Sequence, residues 1–175
     1  MHRRENSIIT VVGIDPGLAA TGVALVRGTG LRVSSFSYGA IKTTPCQTLP
    51  ERLNVIYSGL LSMLETEHPQ LMVLEDVFSS PKFPQSGITL GKVTGVILLA
   101  GYRKNIPVME VSVREAKQVL TGNGRAGKKQ LEESVRRRLN HSTPIQPDHA
   151  SDAMALAMIG LFRWGAPFNE TGGIR

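Results

Sequence analysis

Residues 8–15, Ile-Ile-Thr-Val-Val-Gly-Ile-Asp, form a β-branched run stopped by Asp15-Pro16-Gly17, and strand-like sequence resumes over 22–27. So short a break returns the chain beside itself, which predicts a hairpin. A third strand is predicted over 31–42, where Val33, Phe36, Tyr38 and Ala40 partly alternate with polar residues before the breakers Thr43-Thr44-Pro45. From there the period changes. Leu53, Ile56, Leu60, Leu61 and Leu64 recur at helical spacing over 49–67, and Pro69 closes the segment. The wholly apolar stretch 71–74 is too brief for a helix and fits a strand buried on both faces, with Glu75 at its carboxyl end.

Residues 78–84 read as a loop, and 87–103 as a helix whose Gly91, Gly95 and Gly101 permit near approach of another backbone. A fifth strand is predicted over 107–111. Ser112 then caps a helix over 113–120, a glycine-rich basic loop occupies 121–127, and a helix cationic on one side runs over 128–139. After a loop over 140–147, a last helix with an apolar body spans 148–162. A three-strand meander followed by alternating helix and strand implies an α/β fold, a five-stranded mixed sheet with helices on its faces. The expected organisation is an N-terminal extension over 1–7, one domain over 8–164 and a flexible tail over 165–175.

Composition narrows the function. At 175 residues the chain has room for one domain with a sizeable core. Its longest apolar stretches, 93–101 and 153–162, are roughly half the ~20 residues of a membrane span. Residues 1–7 are not followed by a signal-peptide core, and the single Cys46 makes no intrachain disulfide, so a cytoplasmic protein away from membranes is expected. The excess of 20 Lys+Arg over 14 Asp+Glu, a net +6, points towards a polyanion, nucleic acid before acidic lipid.

Against that positive background, acidic or metal-capable groups fall at element ends: Asp15 closes the first strand, Glu75 closes the fourth, and His149 and Asp152 share a face of the last helix at i, i+3. Hard divalent cations take oxygen ligands. Two of them about 3.5–4 Å apart cleave phosphodiesters with the protein supplying ligands and no nucleophile. Each residue alone has a plainer account: a tight turn for Asp15, a solvated strand end for Glu75, helix-start polar residues for His149 and Asp152. A strand-end Asp also serves the phosphate loops of actin-like ATPases and sugar kinases.

Taken together, Val12-Gly13-Ile14-Asp15-Pro16-Gly17 with Thr21-Gly22, Leu74-Glu75-Asp76-Val77-Phe78, Leu90-Gly91-Lys92-Val93-Thr94-Gly95, Arg114-Glu115-Ala116-Lys117-Gln118, and the stretch from Asp148-His149-Ala150-Ser151-Asp152 to Ala157 resemble, in order and spacing, the RuvC family of Holliday-junction resolvases. The resemblance covers residues 11–164. It implies an RNase H-like fold, a homodimer for which 87–103 resembles the dimer helix, and paired metal-dependent cuts in a four-way DNA junction during recombination and repair. It further implies a bacterial, nucleoid-associated protein partnered by a branch-migration motor complex of the RuvA and RuvB type. By position, Asp15, Glu75 and Asp152 correspond to catalytic ligands of two Mg²⁺ or Mn²⁺ ions per subunit, and His149 stands at the remaining ligand, an Asp in many members and His in some. Phe78 resembles the aromatic that stacks at the junction centre, and Lys117 and Lys128 resemble lysines near the scissile strand.

Imidazole is softer than carboxylate, so His149 is expected to tilt the site from Mg²⁺ towards Mn²⁺. Asp148 is open between a partner of the ligands, a helix-start carboxylate and a ligand. Arg125 and Lys129 are further candidates for DNA contact beside Lys128, whereas the run Arg136-Arg137-Arg138 has the usual alternative of a solvated face. Phe162 and Trp164 are expected to pack the end of the last helix, and Cys46 to be an unreactive loop thiol. Two rivals remain: an RNase H-like protein that binds branched nucleic acid without cutting, which needs a missing ligand, and an actin-like ATPase or kinase, whose fold duplicates the domain.

Overall fold

The computed structural model describes residues 7–76 and 84–164. Strands β1 (Ile9–Asp15), β2 (Ala20–Thr29) and β3 (Arg32–Lys42) form the antiparallel meander, and β4 (Leu71–Glu75) and β5 (Val108–Val111) extend the sheet in parallel on the other side of β1. The order is β3-β2-β1-β4-β5, a five-stranded mixed sheet as expected. Helices α1 (Leu49–Glu67), α2 (Pro84–Arg103), α3 (Val113–Thr121), α4 (Lys128–Leu139) and α5 (Asp148–Arg163) cover its faces.

The pleat divides the core in two. Val12, Ile14, Met72 and Leu74 point to one face and meet Ile56, Leu60 and Leu64 of α1 and Val93 and Ile97 of α2. Val11, Ala24, Val26 and Val73 point to the other, against α5 with α3 and α4 behind it. Each fully buried Leu or Ile contributes on the order of 1.5–3 kcal/mol. β1, but for Thr10 and the terminal Asp15, and β4, but for the terminal Glu75, are therefore without polar residues, and no alternation marks them in the sequence. Phe162 and Trp164 pack against the second cluster.

Local signals set the helix ends. The N–H of Thr48 donates to Glu51 at 2.6 Å ahead of α1, and Ser112 accepts from the N–H of Glu115 at 3.2 Å ahead of α3. Gly122, with φ at +77°, ends α3 in the left-handed conformation that glycine takes without strain.

Several expectations need correction. Helix α2 begins at Pro84 and not at 87, because proline suits a first helical turn, where its missing N–H has no partner to lose. Its glycines differ: a methyl on Gly91 or Gly95 would meet nothing within 4 Å among the described residues, whereas one on Gly101 would press on the side chains of Met72 and Val108, with the Ile106 carbonyl oxygen 3.7 Å away. Helix α4 is cationic on its outer side as expected, with Lys128, Lys129, Arg137 and Arg138 exposed; Arg136 pairs with Glu132 at 2.7 Å and Arg138 lies 5.8 Å over the Phe162 ring. The expected extension, but for Ser7, and the expected tail lie outside the described residues, as does Phe78.

Among the described residues, no helix is long and apolar enough to cross a membrane.

Candidate metal centre

The sheet brings the acidic residues to one end. Ile14 pairs with Leu74 across the parallel ladder, so Asp15 and Glu75, the next residues, sit side by side at the carboxyl ends of β1 and β4. Val111 pairs with Glu75, so α3 also begins there. Helix α5 starts at the same end and runs down the sheet, placing His149 and Asp152 above Asp15. Asp15 is 6% exposed, and Nδ1 of His149 lies 2.6 Å from its Oδ2. Nζ of Lys128, from the first turn of α4, lies 3.5 Å from Oδ2 of Asp152.

Burial and crowding shape the ionisation of this cluster. Glu75 is pushed up to about 8, first by desolvation, then by its hydrogen bond with Asp15 and the charges of Asp15 and Asp152. Asp15 is also raised, by desolvation above all and by Asp152, with Glu75 and Lys128 acting the other way. At neutral pH, Glu75 therefore keeps its proton and donates it to Asp15. Nδ1 of His149 is engaged with Asp15, and Nε2 is the ring nitrogen left over.

Among the described residues no three such side chains surround a common point as a finished metal cage; Asp15 is occupied by Glu75 and His149 instead. The donor set nevertheless fits divalent cations. Three carboxylates and an imidazole crowd one end of the sheet, and the proton held on Glu75 marks a deficit of positive charge that a hard cation relieves.

Of the basic candidates, Lys128 alone has an ion pair with this cluster among the described residues. Sequence spacing gave no sign of that pair, because it joins the starts of two helices through tertiary packing. Lys117 is half-buried on α3, Lys129 is exposed beside Lys128, and Arg125 is exposed in the loop between α3 and α4. The side chain of Gln118 fixes that loop, accepting from the N–H of Gly124 at 2.9 Å and donating to the carbonyl of Gly122 at 3.0 Å. Asp148 is exposed at the first position of α5. Cys46 is exposed, its Sγ 2.9 Å from the Thr44 hydroxyl.

Comparison with known proteins agrees with this fold. A family profile described as crossover junction endodeoxyribonuclease RuvC matches residues 11–160. The chain is 36% identical over 167 residues to the crossover junction endodeoxyribonuclease RuvC of Rhodopirellula baltica, covering 95% of this chain and 94% of that one. It is 39% identical over 147 residues to that of Thermotoga petrophila, covering 84% and 88%. The structure of T. thermophilus RuvC in complex with Holliday junction substrate superposes with a TM-score of 0.83 at 28% identity, covering 89% of this chain and 94% of the other. An unduplicated sheet that ends in this acidic cluster, with a sequence match over most of its length, leaves no place for the ATPase reading, and the chain belongs to the RuvC family of crossover junction endodeoxyribonucleases.

Proposed function

We infer that this chain is a Holliday junction resolvase whose active centre is Asp15, Glu75, His149 and Asp152. One observation carries the assignment of residues: four side chains from opposite ends of the sequence meet at one end of the sheet, in a member of a nuclease family. When bound, divalent cations supply charge neutralisation at the scissile phosphate and activation of water. The chain's own part is to hold them. Asp15 lies between Glu75 and His149 and reaches both. Glu75 gives up its proton on loading, and Nε2 of His149 is the nitrogen free to ligate. Lys128, now paired with Asp152, is within reach of a phosphate bound there and steadies its charge, as preorganised cations do in phosphoryl transfer. Lys117, Lys129 and Arg125 extend the cationic approach for the backbone, and Phe78 stacks on unpaired bases at the junction centre.

The homodimer has support in α2. Ile88, Leu99 and Tyr102, exposed at 56%, 50% and 79%, line one stripe with Gly91, Gly95 and the 37%-exposed Leu98, and no described residue lies within 4 Å of a methyl placed on either glycine. A two-fold pair joined there would present two centres to opposed strands of a junction, which has its own pseudo-two-fold. Two ions per subunit, a preference for Mn²⁺ owing to the His149 imidazole, action beside the bacterial nucleoid, and partnership with a branch-migration motor complete the reading.

The test is cleavage of a synthetic four-way junction beside linear duplex of the same sequence, in Mg²⁺ and in Mn²⁺, by wild type and Asp15→Asn. Paired nicks in the junction alone, lost in Asp15→Asn while binding persists, are the expected result. Binding without cutting in either metal would favour the non-catalytic rival. For the metal preference, equal activity at saturating Mg²⁺ and Mn²⁺, unchanged in His149→Asp, counts against Mn²⁺.

A further inference from the structure

Thr21-Gly22 stands in the sequence pattern with no role in the chemistry above. In the structure Gly22 pairs directly with Asp15 across the antiparallel ladder of β1 and β2. It also lies beneath the first turn of α5. A methyl on Gly22 would stand 2.0 Å from the carbonyl oxygen of His149, 2.5 Å from its carbonyl carbon and 2.9 Å from its Cβ. The backbone of His149 therefore rests on the bare backbone of β2, an approach that any side chain at 22 forbids.

Thr21 is fully buried, and its hydroxyl donates to the carbonyl of Gly17 at 2.8 Å, tying down the turn that follows Asp15. That turn flanks the imidazole: a methyl on Gly17 would lie 3.9 Å from Cε1 of His149. Its far side is held by Thr43, whose N–H donates to the carbonyl of Ala19 at 3.0 Å and whose hydroxyl donates to that of Leu18 at 2.6 Å. Nε of Arg52, on α1, donates in turn to the Thr43 hydroxyl at 2.8 Å.

We propose that Thr21 and Gly22 are positioning residues of the metal centre, a clamp that sets His149 against Asp15 by seating its backbone and fixing the turn beside its ring. The clamp rests on the reading of Asp15 and His149 as metal-centre residues. Its effect is on geometry, so it acts on metal affinity in the folded protein more than on folding itself. Outer groups that orient ligands typically change metal affinity by about 10–100-fold when removed.

The experiment is titration of Mn²⁺ into the metal-free full chain, followed by loss of the free-ion electron paramagnetic resonance signal, with thermal melting in parallel. Thr21→Val, nearly isosteric but without the hydroxyl, is expected to stay folded and bind Mn²⁺ about tenfold more weakly, and Thr21→Ser to restore the affinity. Gly22→Ala is expected to lose at least as much. Gly28→Ala is the control for strain, since its methyl would stand 2.1 Å from the Arg32 carbonyl oxygen at the far end of β2; it should lower the melting temperature and leave Mn²⁺ binding unchanged. If Gly22→Ala does not fold, the two Thr21 variants decide. Wild-type affinity in Thr21→Val, equal losses in Thr21→Val and Thr21→Ser, or an equal loss in Gly28→Ala would each overturn the clamp. Failure of the underlying reading shows elsewhere: if wild type binds no Mn²⁺, or Asp15→Asn binds it as well, the metal centre itself falls and the clamp with it.

Discussion

Glu75 links the centre to pH. Its carboxyl is near 4.5 in an unfolded chain and about 8 in the fold, so between those values the native state holds a proton that the unfolded state has released. The part of the metal-free protein's stability that Glu75 supplies is then fully present below 4.5 and is lost as pH rises towards 8. On the proposed reading a divalent cation replaces that proton, so the protection it gives grows over the same range. Melting curves in chelator and in Mg²⁺ at both ends of the window check this, and Glu75→Gln should flatten the chelator curve. At this scale the sequence was informative about identity and silent about state. Asp15, Glu75, His149 and Asp152 stand out as polar groups at element ends, but the shared proton, the bond from His149 to Asp15 and the pairing of Lys128 with Asp152 depend on distances that no spacing encodes.

Secondary structure was legible wherever one period dominated. The apolar spacing of α1 gave its bounds, and Ser112 marked the start of α3. The misreadings came from residues whose meaning depends on neighbours: Pro84 reads as a loop residue until it opens a helix, and Gly91 and Gly95 read as packing notches though only Gly101 of α2 is one within the subunit. Further notches lie where α5 crosses the sheet. A methyl on Gly13 would stand 2.0 Å from the Ala153 carbonyl oxygen, and one on Gly160 2.4 Å from Cγ2 of Val73. Gly160→Ala should therefore destabilise by about 1–3 kcal/mol, the usual cost of overpacking, in denaturant unfolding. Ser112→Ala removes a cap and should cost about 1 kcal/mol in the same assay.

Among the described residues the molecule has one chemical end and, on α2, an exposed apolar stripe. If the stripe on α2 joins two copies, Leu99→Glu should shift sedimentation from dimer to monomer with an unchanged far-ultraviolet spectrum, and cuts in a junction should lose their pairing. Contacts from Lys129 and Arg125 to phosphate predict a different signature: replacing either by Gln should lower the salt dependence of duplex binding by about 0.9 in log–log slope per contact, with no change in sequence preference. The span of the chain that builds the centre has a separate consequence. Asp15 and His149 meet across 134 positions, from the first strand to the last helix. Domains form as units during synthesis, N-terminal parts emerging first. On the proposed centre, a nascent chain still lacking α5 carries Asp15 and Glu75 without His149 or Asp152, so it has no cutting edge until α5 has been made. A chain stopped before α5 is then expected to leave junctions uncut.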